Sequence, residues 1–249
     1  MRCFYLPEPD LCCGAVLPLP KELQKHLHTV LRLNPGDKVQ FFNGFGQLAT
    51  AILSANSAVE VLQVELCPAP LCSLVLIQGL PKGDKLELVL QKGTELGINE
   101  FYLTSMERSV GSLKSDRRQK RLDRWLKIVQ EAARQCRQYH LPQLIADMPL
   151  ASALSTVDAD LKLLLWEESD VPLRQVLPPS RPQRIAVLVG PEGGISPREA
   201  EQAKKKGFQS VSLGPRILRT ETAGLAIMSI LQYLYGDLAS GQHGLNDYE

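Results

Sequence analysis

From residue 73 onward, short continuous apolar runs alternate with longer segments of helical period, and few folds accept that order. Leu74-Val75-Leu76-Ile77, Phe101-Tyr102-Leu103, Leu161 to Leu165, Ile185 to Val189 and Val211-Ser212-Leu213 read as strands. Runs that are apolar at consecutive positions suit strands covered on both faces. Between them, helices are expected over Lys85 to Leu96 with a stop at Gly97, and from about Ser115 to Arg137 with Leu122, Trp125, Val129, Ala132 and Cys136 on one face. A last helix runs from Glu221 to Tyr235, with Ala223, Ile227, Ile230 and Leu234 inward and Gly236 as its stop. The sharpest local signal is Ser196-Pro197-Arg198-Glu199. Ser196 is the N-cap, Pro197 suits the first turn, and Glu199 closes a capping box. That helix ends at Lys206-Gly207. Such alternation predicts an α/β fold, a mainly parallel sheet with helices on both faces.

The first 70 residues have another texture. Pro35-Gly36-Asp37 is a turn, Val39 to Phe42 a strand, and Asn43-Gly44 a tight hairpin of two residues that tolerate positive φ. Gln47 to Leu53 and Val59 to Leu66 continue the meander. One helix, roughly Lys21 to Leu31, points Leu23, Leu27, Val30 and Leu31 to one side. Short strands with one helix predict a small β-barrel. Cys67-Pro68-Ala69-Pro70 reads as a linker, because two prolines block ladder hydrogen bonds. The expected organisation is a barrel over 1–70, an α/β domain over 71–240 and a flexible tail over 241–249.

At 44% hydrophobic and 22% charged, the 249 residues exclude a disordered or collagenous chain. No apolar run approaches the ~20 residues that cross a bilayer, and Met1-Arg2-Cys3-Phe4-Tyr5-Leu6-Pro7 meets charge and proline too early for a secretion signal. A cytoplasmic location is expected. The six cysteines include no Cys-x-x-Cys pair and the four histidines are scattered, so no metal site is expected. Net charge is only +1, yet residues 107–137 carry ten basic and four acidic groups. Such a run is either a solvated helix face or a phosphate-binding stripe.

Ligands of open parallel sheets bind in loops at the carboxyl ends of strands. Three loops qualify: Trp166-Glu167-Glu168, Gly190-Pro191-Glu192-Gly193-Gly194, and Leu213 to Thr222. The second is neither a P-loop nor a dinucleotide fingerprint and, alone, reads as a tight turn. The third sets two arginines, two threonines and a glutamate against a helix start, with Ile217 and Leu218 between the arginines; this invites a planar or anionic group.

GPEGGIS at 190–196 followed by LGPRILRTETA at 213–223 resembles the bacterial 16S ribosomal RNA uridine-N3 methyltransferases, members of the SPOUT superfamily of S-adenosylmethionine (SAM) enzymes. His26 with VLRL at 30–33 and FNG at 42–44 resembles that family's N-terminal domain. QKGTELG at 91–97, Glu107-Arg108 and Glu131 to Gln135 resemble its central blocks. One block departs: Arg134-Gln135-Cys136-Arg137-Gln138 stands where the family pattern has Glu-Gln-Ser/Cys-x-Arg.

The resemblance implies a PUA-like β-barrel followed by a SPOUT domain with a deep trefoil knot, working as a homodimer on 16S rRNA of the small ribosomal subunit. It implies that the three loops hold SAM. Leu165, Trp166, Leu188, Val189, Leu213, Gly214, Ile217, Leu218, Thr220 and Thr222 would line its site. Gly190, Gly193 and Gly194 would leave room for the bent cofactor, and Glu192 would complement its sulfonium. N3 methylation needs no covalent attack on the ring, so no catalytic cysteine is required. It needs N3 in line with the methyl group and a cationic group for charge developing on the uracil oxygens. Arg219 is assigned that role, and Glu221 or a water the proton. Lys92, Arg108, Gln135 and Arg137, with Arg2, His26 and Arg32 on the N-terminal domain, are the RNA-contact candidates. Two rival functions remain: a SPOUT enzyme for another RNA or base atom, and a non-catalytic RNA-binding assembly protein.

Overall fold

The structure, a computed structural model, describes residues 1–55, 58–109 and 118–239. The helix start expected near Ser115, Lys114 and Arg117 of the basic stretch, and the tail 241–249 lie outside the described residues. Two compact units emerge: Met1–Ala69 with Ala133–Leu141, and Pro70–Ala132 with the chain from Pro142 onward.

In the first unit, strands β1 (Cys3–Tyr5), β2 (Val16–Pro18), β3 (Lys38–Phe42), β4 (Gln47–Leu53) and β5 (Ala58–Leu66) form one sheet in the order β1-β3-β4-β5-β2. Only β1–β3 is parallel. A register slip between Thr50 and Ala51 bends β4, as an extra unpaired residue does. The sheet curls around Phe4, Leu6, Leu27, Phe41, Leu53 and Val61. This curled sheet is the small barrel-like domain that the sequence leads one to expect; among the described residues its edge strands β1 and β2 do not pair with each other. Helix α1 (Lys21–Lys25) continues as a π-turn over His26–Val30, closed by Leu31 N–H on the His26 carbonyl at 3.0 Å. The wider winding advances fewer degrees per residue than an α-helix. Leu27 stays buried, while Val30, expected on the same face, is turned to solvent.

The β3–β4 connection also differs from expectation. It spans Asn43 to Gly46, and positive φ falls on Gly44 and Gly46 rather than on Asn43. Asn43 is fully buried; its Oδ1 accepts from the backbone N–H groups of Phe45 (2.8 Å) and Gln47 (3.1 Å). Its side chain thus replaces a turn's own backbone bonds.

The second unit contains β6 (Ser73–Gly79), α2 (Lys85–Glu95), β7 (Glu100–Ser105), β8 (Gln143–Pro149), α4 (Leu150–Thr156), β9 (Leu161–Leu165), β10 (Arg184–Val189), α5 (Pro197–Lys205), β11 (Gln209–Val211) and α6 (Thr220–Tyr235); α3 (Arg118–Cys136) begins in it. The sheet order is β11-β9-β10-β6-β7-β8 and every pairing is parallel. β8 and α4 have no counterpart in the sequence reading. β11 ends at Val211, not Leu213, because the Ser212 hydroxyl turns the chain by bonding the Gly214 backbone. Ser196 caps α5 and Glu199 completes the reciprocal box.

α6 buries Thr220, Gly224, Ile227, Met228, Leu231 and Tyr235, and leaves Ile230 and Leu234, both expected inward, at the surface. The sequence TETAGLAIMSILQYLY is apolar on most sides, so period alone does not select a face. Gly224 lies on the buried side, where a Cβ would make ordinary contact with Leu76 at 3.7 Å and Gln78 Oε1 at 3.5 Å.

Candidate functional site

From β6 the chain moves outward through β7 to β8, while β10, β9 and β11 lie on the other side. Strand order therefore reverses between β6 and β10, the position at which open parallel sheets bind ligands. Gln78 and Val189 are register partners there. Fully buried Gln78 donates from Nε2 to Thr220 Oγ1 at 2.8 Å and to the Gly79 carbonyl at 3.0 Å. The Thr220 hydroxyl in turn donates to the Gly190 carbonyl. One buried amide thus pins β6, the Gly190 loop and the start of α6 together. Sequence reasoning missed Gln78, because a lone glutamine at the end of an apolar run has no local signature; its partners are 112 and 142 residues away.

The Gly190–Gly194 loop is braced from outside as well. Glu199 is buried; its carboxylate accepts from Ser196 N–H at 3.0 Å and Glu107 N–H at 2.8 Å, tying the α5 cap to the segment after β7. Arg108 Nη1 donates to the Gly193 carbonyl at 3.2 Å. On the side where a Cβ would stand, these glycines face the protein itself. A Cβ at Gly190 would meet Ile195 at 2.6 Å, one at Gly193 would meet Arg108 Cβ at 2.8 Å, and one at Gly194 would collide with the Glu167 carboxylate. The open glycine is Gly214, with φ +108° and nothing near its missing Cβ.

Glu192, expected to face a sulfonium, already has a cation. Its carboxylate accepts from Lys85 Nζ at 2.8 Å and from Lys82 N–H at 3.1 Å. Burial disfavours its charge, but the Lys85 and backbone hydrogen bonds outweigh that and hold its pKa below the ordinary carboxyl range.

The remaining loop residues do suit a flat heteroaromatic ligand. Leu165, Trp166, Leu213 and Leu218 are half-buried at the strand ends, Ile217 is 89% exposed, and Leu188 and Val189 are buried and offer backbone only. Among the described residues, the N–H groups of Leu213, Arg216, Ile217 and Leu218 donate to nothing. Of the five buried side-chain atoms without a partner among the described residues, three belong to Trp166 (Nε1), Gln78 (Oε1) and Glu221 (Oε2); the others are Thr104 Oγ1 and Arg184 Nε. Unpaired groups so concentrated mark a place where another molecule completes the hydrogen bonding. Lys204 Nζ lies 4.7 Å from the centre of the Trp166 ring. Arg219 is the N-cap of α6; it is exposed, and among the described residues its guanidinium has no hydrogen bond or ion pair. Glu221 stands two residues on, half-buried in the first turn, and Thr222 is exposed beside it. Among the described residues no cluster of three or more His, Cys, Asp or Glu could hold a metal ion, and no helix is long and apolar enough to cross a membrane.

The basic candidates fall on both units. On the second, Lys92 is paired with Glu95 at 2.9 Å, Arg124 with Glu87 at 2.6 Å and Arg118 with Asp147 at 3.2 Å, so part of the basic helix is neutralised. On the first, the Arg2 guanidinium donates to the Leu31 carbonyl at 3.3 Å, next to exposed Arg32, and the His26 ring sets its edge against Phe4. Gln135 is exposed near the end of α3, and Arg137 follows it with φ +63°. Burial pushes the Cys3 thiol up to about 11, partly opposed by the charges of Arg134 and Arg137.

Residues 67–232 match the model of an RNA methyltransferase domain, and residues 19–61 match that of an RNA methyltransferase PUA domain. Ribosomal RNA small subunit methyltransferase E of Bacillus subtilis is 34% identical over 84% of this chain and 86% of its own length. The crystal structure of ribosomal RNA small subunit methyltransferase E from Neisseria gonorrhoeae, bound to SAM, superposes with a TM-score of 0.85 at 35% identity, covering 96% of this chain and 99% of that one. A Legionella pneumophila protein solved with SAM superposes equally well, at 31% identity over 95% of this chain and 98% of its own. On the extent of the matched domain and on its likeness to these relatives, the chain belongs to the RNA methyltransferase family, with the PUA domain that accompanies it.

Proposed function

We propose that the chain transfers a methyl group from SAM to N3 of a uridine in 16S rRNA of the small ribosomal subunit, in the cytoplasm. The observation that carries the reading is the knot of polar contacts among Gln78, Thr220 and Gly190, which sets Arg219 and Glu221 beside a loop of unpaired backbone amides at the switch point. The relatives named above act on small-subunit ribosomal RNA and two of the similar structures hold SAM, which supports the choice of cofactor and substrate.

SAM supplies an electrophilic methyl group. Leu165, Leu213 and Leu218 offer an apolar slot for its adenine, and the amides of Leu213, Ile217 and Leu218 offer hydrogen bonds to the purine edge. Gly214 lets backbone come close, and Trp166 Nε1 is a further donor. The Arg219 guanidinium stabilises negative charge on the uracil oxygens as N3 loses its proton. Glu221 Oε2, buried and unpaired, accepts that proton. Arg108 and Lys92 on the second unit, and Arg2, His26, Arg32, Gln135 and Arg137 on the first, contact RNA, the first unit serving as the RNA grip and the second as the transferase. In this reading the C-terminal chain passes through a loop and forms a deep trefoil knot.

A homodimer belongs to the same proposal. Ile230, Tyr233 and Leu234, spaced three and four residues apart on α6, leave an apolar face of that helix exposed. Contiguous apolar surface of this kind favours burial against a partner. Sedimentation at micromolar protein reads it, and a monomer refutes the dimer.

Calorimetry with SAM, then methyl transfer to purified small subunits and to naked 16S rRNA, tests the function. The expected product is 3-methyluridine by mass spectrometry of digested RNA. Methylation at another atom or RNA transfers the reading to the first rival, and absence of SAM binding to the assembly-protein rival.

A further inference from the structure

Of the six phenylalanines, five are buried, and the sixth stands in the open at the tip of the β3–β4 turn. Phe45 is 70% exposed. We propose that its ring is a stacking platform for an unpaired nucleobase of RNA held by the first unit, an inference that rests on the RNA-directed function above.

The turn that carries it is held from two sides. Within the turn, Asn43 Oδ1 accepts from Phe45 N–H. From outside, Gly46 N–H donates to the Tyr139 carbonyl at 3.1 Å, Leu141 N–H to the Gly44 carbonyl at 2.9 Å, and Cys67 N–H to the Gly46 carbonyl at 2.7 Å. His140 Nε2 lies 3.2 Å from the Cys67 carbonyl, and its ring occupies the place of a Cβ at Gly46. A backbone fixed this firmly presents the ring without an ordering cost on binding, which is what gives a preorganised contact its affinity.

The surroundings favour a nucleobase over a protein. Phe45 faces His140 across an isolated bridge, three residues beyond Arg137. The nearest large exposed apolar side chain along the paired strand is Leu66, at 80%. One ring and one leucine are too little for a protein interface, whose stable forms bury about 800 Å² per partner. A base needs one flat face, and the cationic segment from Arg134 to Arg137 suits its phosphates.

The test uses the full-length protein and a fluorescently labelled single-stranded RNA oligonucleotide, with a duplex of the same length as the comparison, titrated across a range of salt. Phe45→Ala is expected to weaken single-strand binding about ten-fold, the scale of one lost base–aromatic stack. The slope of log affinity against log salt stays unchanged, because no phosphate contact is removed. Phe45→Trp retains affinity, and duplex binding is the same in all three proteins. The ring makes no buried contact, so thermal unfolding stays that of the parent. Unaltered single-strand binding in Phe45→Ala, an equal loss on duplex, or a changed salt slope overturns the platform. A parent protein that binds neither RNA overturns the RNA reading beneath it.

Discussion

The turn at Asn43–Gly46 and the loop at Leu213–Arg219 are both short and glycine-bearing, yet their polar groups are disposed in opposite ways. In the turn, side chain and neighbouring backbone satisfy the amides of Phe45, Gly46 and Gln47. In the loop, the backbone amides of Leu213, Arg216, Ile217, Leu218 and Arg219 reach no acceptor among the described residues. The first is complete without a partner, so damage to it should appear in stability. The second offers its donors to the cofactor proposed to sit there, so damage around it should appear in binding and catalysis.

The hardest blow to this contrast comes from Arg219→Ala. Methyl transfer is expected to fall roughly 100- to 1000-fold, the scale of removing one donor from developing charge, while calorimetry reads unchanged SAM affinity. Unimpaired turnover removes Arg219 from the chemistry. Asn43→Ala strands the backbone N–H groups of Phe45 and Gln47, while the Gln47 side chain keeps its bonds to Leu11 N–H and Asp10. A loss of about 2–3 kcal/mol is expected in denaturant unfolding, with SAM affinity intact; weakened SAM binding at equal folding would break the separation of the two regions. Gln78→Met keeps volume and removes the polar pin. The KM for SAM is expected to rise about ten-fold, by the ~1–2 kcal/mol such a bond carries, with kcat within about two-fold; a fall in kcat alone would assign Gln78 elsewhere. The smallest effect belongs to Glu192. Its pKa is depressed, so the Lys85 pair contributes fully above the ordinary carboxyl value of 4.5 and is lost as pH falls through the lower folded value. At this partly exposed site the contribution is below about 1 kcal/mol. Unfolding curves of the parent and Glu192→Gln should differ at neutral pH and converge in acid; a constant gap would deny the pair its role.

What could be read in advance was local. The Ser196-Pro197-Glu199 cap is decided within four residues, and the apolar runs of β6, β9 and β10 announce strands covered on both faces. What could not be read depends on distant packing. The inward face of α6 is set by its packing against α2 and β6, the outward turn of Val30 by a π-turn, and β8 is disguised by Asp147, whose φ of +63° interrupts its register. The same holds at the site. Motif residues at 190–194 and 213–222 could be placed on their loops from sequence, whereas the pin at Gln78, the Lys85 partner of Glu192 and the filled space at the glycines needed the fold.

Trp166 gives this protein an optical handle. The chain has only two tryptophans, and Trp125 is buried in α3. The other, under the Lys204 ammonium and with its indole N–H unpaired, borders the loops assigned to the cofactor. Occupancy of those loops should therefore change intrinsic emission without any dye, and Trp166→Phe should leave a steady signal from Trp125 that is blind to titration.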